Sequence, residues 1–375
     1  MTGKIAIRVD SSDLIGTGHV MRCLTLAGFL RERGAEVAFV CRELSGNRID
    51  FIESEGYPVL RMSAASPDTR VDSSETYGRW LAVPWQNDAD ECLRMIKEHC
   101  GTVDWLVVDN YALDQRWESR LSQVADRIMV IDDLADRPHL CDLLLDQNLH
   151  HQGVQRYSGW LPGECELLVG PRYALLRPEF IRERATLRVR DGAIGRILVF
   201  YGGSDPTNET EKALKALATP GPTKLTVDVV VGSGNPAAEK IRMFAAEHSH
   251  VNYHCQVSHM ASLMSQADLA LGGAGTATWE RAYLGLPAII TVLANNQREV
   301  ASQCAAVDAL LNLGWYENVQ ESDIEAAVQK LMSDPGRTAR MSRKAYSLFD
   351  NETPGVELVG AAMMSPSGVS RQSAQ

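Results

Sequence analysis

The stretch Gly272-Gly-Ala-Gly-Thr-Ala-Thr-Trp-Glu-Arg-Ala-Tyr-Leu-Gly-Leu-Pro-Ala-Ile-Ile-Thr-Val292 reads as a strand end, a glycine loop, a helix, a turn and a second strand. That succession is the repeating piece of a parallel sheet covered by helices on both faces. The loop residues lack or nearly lack side chains, so a diphosphate can approach their backbone N–H groups. Glu280, one turn into the helix, can accept hydrogen bonds from both hydroxyls of a ribose. A solvated helix residue is the plain alternative, and Trp279 with its apolar surroundings argues against it. Ala294-Asn-Asn-Gln297 opens the next helix with a run of amides longer than N-capping needs. Gly273, Gly275, Thr276, Glu280, Asn295, Asn296 and Gln297 are therefore candidate nucleotide-sugar contacts.

The same alternation runs outward from this segment. Apolar, β-branched stretches at 4–9, 35–41, 103–109 and 127–132 precede helical periods in the first half, and 196–201, 225–231, 267–272 and 286–293 do so in the second. A chain of 375 residues suits two domains. The charged, glycine-ended stretch 182–195 predicts the boundary, giving a first domain over 1–185 and a second over 190–350. Helical period returns at 321–349. A last helix is expected within 351–363, and 364–375 has the composition of a disordered tail.

Hydrophobic residues make up 45% and charged residues 23% of the chain, with a net charge of −11. An acidic chain is a poor partner for nucleic acid, whose phosphates need a dense basic surface. A single diphosphate needs only a few local donors. No apolar run reaches the roughly 18 residues of a membrane helix, and the start of the chain shows no signal-peptide pattern. The eight cysteines are scattered without a Cys-x-x-Cys pair, which reads as reduced thiols in a cytoplasmic protein.

The first strand leads into Asp10-Ser-Ser-Asp-Leu-Ile-Gly-Thr-Gly-His-Val-Met-Arg-Cys-Leu-Thr-Leu-Ala27. Helical period from His19 to Arg33, with Gly34 placed as a C′ residue, puts Gly16 and Gly18 in a strand-to-helix turn. Three readings compete. A dinucleotide fingerprint lacks its third glycine, and the second strand ends in Cys41-Arg42 where a ribose-binding acid is needed. A tight turn with a helix-capping histidine is the structural reading. In the third, His19 faces a ligand at the carboxyl edge of the sheet as a general base, with Gly16, Gly18 and Arg22 beside the substrate. Asp10, Asp13 and Tyr111 are candidates to orient His19 or the sugar. A further loop, Tyr201-Gly-Gly-Ser-Asp-Pro-Thr-Asn208, offers Gly202, Gly203 and Ser204 to a phosphate, although it is equally good turn chemistry.

These segments together resemble the UDP-2,4-diacetamido-2,4,6-trideoxy-β-L-altropyranose hydrolases of pseudaminic acid synthesis. Arg8-Val-Asp10 followed by Gly-Thr-Gly-His-Val-Met-Arg-Cys-Leu-Thr-Leu-Ala carries the likeness, with Val108-Asp-Asn-Tyr111, Ile131-Asp-Asp-Leu134, Asp142-Leu-Leu-Leu-Asp-Gln-Asn148 and Gly170-Pro-Arg-Tyr-Ala-Leu-Leu-Arg-Pro-Glu-Phe180. It continues through Gly202–Pro206 and Gly272–Gln297, a block shared with GT-B glycosyltransferases such as the transferase that adds N-acetylglucosamine to lipid II. The resemblance implies an α/β GT-B fold of two Rossmann-like domains facing across a cleft. It implies a UDP-sugar held mainly by the second domain and chemistry contributed by the first, where His19, Asp13 and Tyr111 are the catalytic candidates; nothing in the sequence demands a metal or a cofactor, and the chain could work as a monomer. Residues 63–88 depart from the family's expected pattern, either shaping the sugar pocket or looping over the surface. A GT-B glycosyltransferase and a non-catalytic sugar-nucleotide-binding protein are the rival readings.

Overall fold

The structure, a computed structural model, describes residues 3–64, 77–218, 225–349 and 353–364. The expected tail lies outside them apart from Met364. The chain divides into two compact units. Met1–Asn148, Gln152–Leu175 and Thr353–Gln375 form the first, and Leu149–His151 with Leu176–Glu352 the second.

In the first unit the elements run β1 (Lys4–Val9), α1 (Gly18–Glu32), β2 (Glu36–Arg42), α2 (Ile49–Ser54), β3 (Val59–Met62), α3 (Trp85–His99), β4 (Val103–Asp109), α4 (Gln115–Leu121), β5 (Ala125–Ile131), β6 (Leu143–Asp146) and β7 (Glu166–Val169). Their seven strands are all parallel, in the order β3-β2-β1-β4-β5-β6-β7. Because β1 lies between β2 and β4, the chain reverses its winding there. The crevice outside the carboxyl ends of β1 and β4 is where such sheets bind ligands.

The second unit runs α5 (Pro178–Ala185), β8 (Arg196–Phe200), α6 (Glu209–Ala216), β9 (Thr226–Val231), α7 (Ala238–Glu247), β10 (Val251–Cys255), α8 (Met260–Gln266), β11 (Leu269–Gly273), α9 (Ala277–Tyr283), β12 (Ala288–Val292), α10 (Gln297–Ala306), β13 (Leu311–Trp315), α11 (Glu321–Met332) and α12 (Pro335–Ser347). Six parallel strands order as β10-β9-β8-β11-β12-β13, with the reversal at β8 and β11. The helical period read at 321–349 resolves into two helices, because Asp334 caps a new start at Pro335. A final helix, α13 (Gly355–Met364), packs on α1 and on the turn Pro171–Tyr173 of the first unit, where the Trp105 indole donates to Met363 O at 3.0 Å.

The changeover at Leu175/Leu176 corrects the boundary expected at 185/190. The stretch 182–195 is charged because its arginines anchor it to the second unit. Arg184 donates to Phe349 O at 2.8 Å, and Arg190, 6% exposed, donates to the carbonyls of Met264, Ser265, Ala267 and Leu284. Charge marks attachment here rather than a linker.

The first unit's core also holds ions. Asp88, with no exposed surface, accepts from Arg8 at 2.8 Å, Arg42 at 2.8 Å and the Trp117 indole at 3.0 Å. Asp10 accepts from Arg8 Nη1 at 2.6 Å and from the Arg42 backbone N–H at 2.8 Å. Burial raises the cost of ionising Asp88, but its two arginines outweigh that and hold its carboxyl below the usual range.

Candidate active site and nucleotide loops

His19 is the second residue of α1, set at the first unit's strand-order reversal by the turn Ser12–Gly16. The Ser12 hydroxyl accepts from the N–H groups of Leu14 and Ile15, and Gly16 N–H closes the turn on Ser12 O at 2.9 Å. Its orienting partner is Asp109, the last residue of β4, at 2.6 Å from Nδ1. A carboxylate at that distance is met by a proton on Nδ1, and in the neutral imidazole this leaves the Nε2 lone pair to accept one. Nε2 has no partner among the described residues.

Asp109 is itself fixed. Arg22 donates to it twice, Nε to Oδ2 at 2.7 Å and Nη2 to Oδ1 at 2.6 Å, and the Cys23 thiol approaches Oδ2 at 3.4 Å. Burial alone would push the Asp109 carboxyl up; the Arg22 guanidinium and then His19 hold it well below the usual carboxylate range. Asp109 therefore stays an acceptor at any working pH and holds the imidazole in one tautomer.

Aromatic rings wall the imidazole. Tyr111 and Trp80 stand edge-on to it at centroid distances of 5.0 and 5.4 Å, stack on each other at 5.0 Å, and are both met by Tyr77. The Tyr111 hydroxyl donates to Asp133 at 2.5 Å, and Asn148 donates to the other Asp133 oxygen at 2.7 Å. Burial pushes the Asp133 carboxyl above its usual range against the pull of Arg22. Two sequence motifs that had no function of their own, at 131–134 and 142–148, thus support the tyrosine beside His19. Residues 65–76 of the irregular segment lie outside the described residues; its described end supplies Tyr77 and Trp80 to the ring cluster beside His19.

Three assignments from sequence change. Asp13 is exposed and accepts from the Ser45 hydroxyl at 2.8 Å, while the partner that His19 uses is Asp109. Asp10 belongs to the ionic core. Arg22 is 4% exposed, and its Nε and Nη2 both donate to Asp109, so these contacts hold the His19 partner in place. Asp109 and Trp80 were missed. Asp109 ends the apolar run Trp105-Leu-Val-Val-Asp109, and a carboxylate at a strand's carboxyl end was a usable signal; nothing in the sequence pointed to Trp80.

In the second unit the two glycine loops flank the reversal at β8 and β11. Gly202 has φ +101°, a left-handed backbone that glycine adopts freely, and the Gly203 carbonyl accepts from Gly232 N–H at 3.0 Å. Ser204 is half-buried beside them. The N–H groups that open α6 are already engaged, because Asp205 accepts from those of Glu209 and Thr210 at 3.1 and 2.8 Å. Glu209 and Glu211 make that end still more acidic.

The other loop is held differently. A Cβ on Gly272 would lie 2.4 Å from Phe200 O, so only glycine fits there. The Gly273–Ala274 peptide is tied at both ends, its carbonyl to Arg281 Nη2 at 2.6 Å and its N–H to Gln297 Oε1 at 3.2 Å. Gly275 is exposed and Thr276, half-buried, caps α9 without using its hydroxyl. Glu280 is half-buried and accepts from Arg177 at 3.1 Å. Asn295 is exposed and accepts from Arg298, while Asn296 occupies the α10 N-cap position with no side-chain cap bond.

Two parallel doubly wound sheets, each with its loops at a strand-order reversal, give the chain the GT-B fold. Acinetobacter baumannii MurG shares it with a TM-score of 0.61 at 14% identity, over 96% of this chain and 99% of that one. LpCGTa, solved in complex with UDP, shares it with a TM-score of 0.64 at 12% identity, over 97% of this chain and all of that one. Residues 197–354 match the glycosyltransferase family 28 C-terminal domain. Among curated proteins, the UDP-2,4-diacetamido-2,4,6-trideoxy-beta-L-altropyranose hydrolase of Campylobacter jejuni is 28% identical over 266 residues, 71% of this chain and 82% of its own. The resemblance read from the sequence and the fold it implied are both borne out. Among the described residues, no helix is long and apolar enough to cross a membrane.

Proposed function

We propose that this chain hydrolyses a UDP-linked 2,4-diacetamido-2,4,6-trideoxy hexose to the free sugar and UDP, as a step of nonulosonic acid biosynthesis. The observation that carries the chemistry is the Asp109–His19 pair with its free Nε2; the similarity to the Campylobacter jejuni hydrolase carries the substrate. In this reading Nε2 takes a proton from water as the water oxygen bonds to the anomeric carbon. The bond from that carbon to the diphosphate oxygen breaks, its electrons leave with UDP, and the anomeric configuration inverts. Diphosphate is a weakly basic leaving group, so it needs electrostatic stabilisation more than a strong acid. The second unit supplies the UDP site through Gly202, Gly203, Ser204, Gly273, Gly275 and Thr276, with Glu280 on the ribose hydroxyls. Asn295, Asn296 and Gln297 are proposed to read the sugar. Gln297 does so with its amide nitrogen, since its oxygen is spent on the loop.

Transfer to an acceptor hydroxyl is the second reading, favoured by the glycosyltransferase likeness of residues 197–354. The test is the purified chain incubated with the UDP-sugar in ¹⁸O-water and no acceptor. Turnover with one ¹⁸O in the sugar's anomeric hydroxyl and none in UDP supports hydrolysis by attack at carbon. UDP release only on adding an acceptor overturns it, and ¹⁸O in UDP moves the attack to phosphorus.

A further inference from the structure

We infer that Arg281 is the built-in counter-charge for the nucleotide's diphosphate and the residue that positions the Gly272–Gly275 loop to receive it. The inference rests on the UDP-site reading above and goes beyond it, since Arg281 belongs to none of the loops assigned to the ligand.

Arg281 is 3% exposed and forms no ion pair among the described residues. Its Nη2 donates to Gly273 O at 2.6 Å and reaches the Thr278 hydroxyl at 3.2 Å, while its buried Nε has no partner among the described residues. The other deeply buried arginines are matched. Arg8 and Arg42 share Asp88, Arg22 has Asp109, and Arg190, without a carboxylate contact, spends its guanidinium on four carbonyls. A buried cation with so few acceptors is costly for the empty protein. Burial lowers its pKa to about 10, opposed by the nearby Glu280 and Tyr201, so it remains charged at neutral pH.

The cation lies directly under the loop that the sequence assigns to phosphate. An ideal Cβ on Gly272 would sit 3.0 Å from Arg281 Nη1. Because Nη2 holds the Gly273 carbonyl on the guanidinium side and Gln297 holds the next N–H, the N–H groups of Gly275 and Thr276 remain uncommitted among the described residues. An arriving diphosphate supplies the negative charge that the fold withholds. The glycines keep side chains from separating the two, so the attraction acts at low dielectric.

The experiment measures UDP and uridine binding by calorimetry, and thermal unfolding without ligand, for the full chain and for Arg281→Met and Arg281→Lys. Arg281→Met is expected to lose UDP affinity by roughly tenfold or more, to keep its uridine affinity, and to melt at the same or a higher temperature. Arg281→Lys is expected to hold UDP at neutral pH and lose it as pH rises toward 9, because the same burial lowers a lysine into that range. This arm decides the matter if the Met variant does not fold. Unchanged UDP affinity in Arg281→Met overturns the inference, as does a fall in melting temperature with equal losses for UDP and uridine, or a Lys variant whose UDP affinity does not vary with pH. A wild-type chain that binds no UDP overturns the nucleotide-site reading together with it.

Discussion

The two units put glycine-bearing loops at equivalent places, outside the carboxyl ends of the strands where the winding reverses, yet they treat buried charge in opposite ways. At β1 and β4, Asp109 is saturated by Arg22 and His19 before any ligand arrives. At β8 and β11, Arg281 has no anionic partner among the described residues. Under the proposed function the difference follows from two tasks. A general base needs one tautomer and one direction, so the groups behind it must be fully committed. An anion site gains from a charge kept in reserve, at some expense to the stability of the empty fold.

The sharpest way to break the committed side is Asp109→Asn. An amide cannot hold the Nδ1 proton as the carboxylate does, and the imidazole can then turn its lone pair inward. Turnover should fall by about 10³–10⁴, the scale seen when an orienting carboxylate becomes an amide in other histidine sites. UDP affinity, which the proposed function assigns to the second unit, should not change. Equal losses in both would show that Asp109 merely holds the fold.

Next in size is Asp88→Ala, which leaves Arg8 and Arg42 buried without their shared carboxylate. Unfolding free energy should drop by about 3–5 kcal/mol in a denaturant titration. The same ion pairs set a pH signature. Asp88 and Asp109 both have folded pKa values depressed below their unfolded ones. The stability they contribute is complete above the ordinary carboxylate value of about 4 and is lost as pH falls below it. Wild-type stability should therefore fall off below about pH 4, and less steeply in the Asp88 variant.

Much of this division was legible in the sequence. The eight strands read there are all present, and five more were missed. Three of these, β3, β6 and β7, have only four residues, too few to show a period; β10 and β13 are edge strands, β10 with a mixed burial pattern and β13 half-buried throughout. The glycine loops and His19 stood out because their chemistry is local. The orienting carboxylate did not, since β4 becomes the neighbour of β1 only after the chain has passed through β2 and β3 and crossed back. Asp13, close in sequence, was the natural guess, and Asp109, ninety residues on, is the partner. Trp80 was invisible for the same reason: it reaches His19 from a short turn with no periodicity.

The smallest expected effect sharpens the wall around the base. Trp80→Ala removes rings that stack on Tyr111 and meet His19 edge-on, interactions of about 0.5–1.5 kcal/mol each. A loss of roughly tenfold in kcat/KM is expected, with uridine affinity unchanged. An unaltered kcat/KM would make the segment around Trp80 a surface loop after all.

The central claim is that His19 is the base and the nucleotide is held elsewhere. Its most direct test is UDP release from the UDP-sugar by His19→Asn, alongside UDP affinity for the same protein. The account predicts turnover lower by roughly 10²–10⁴ with UDP binding intact. A His19→Asn chain that releases UDP at the wild-type rate would contradict it.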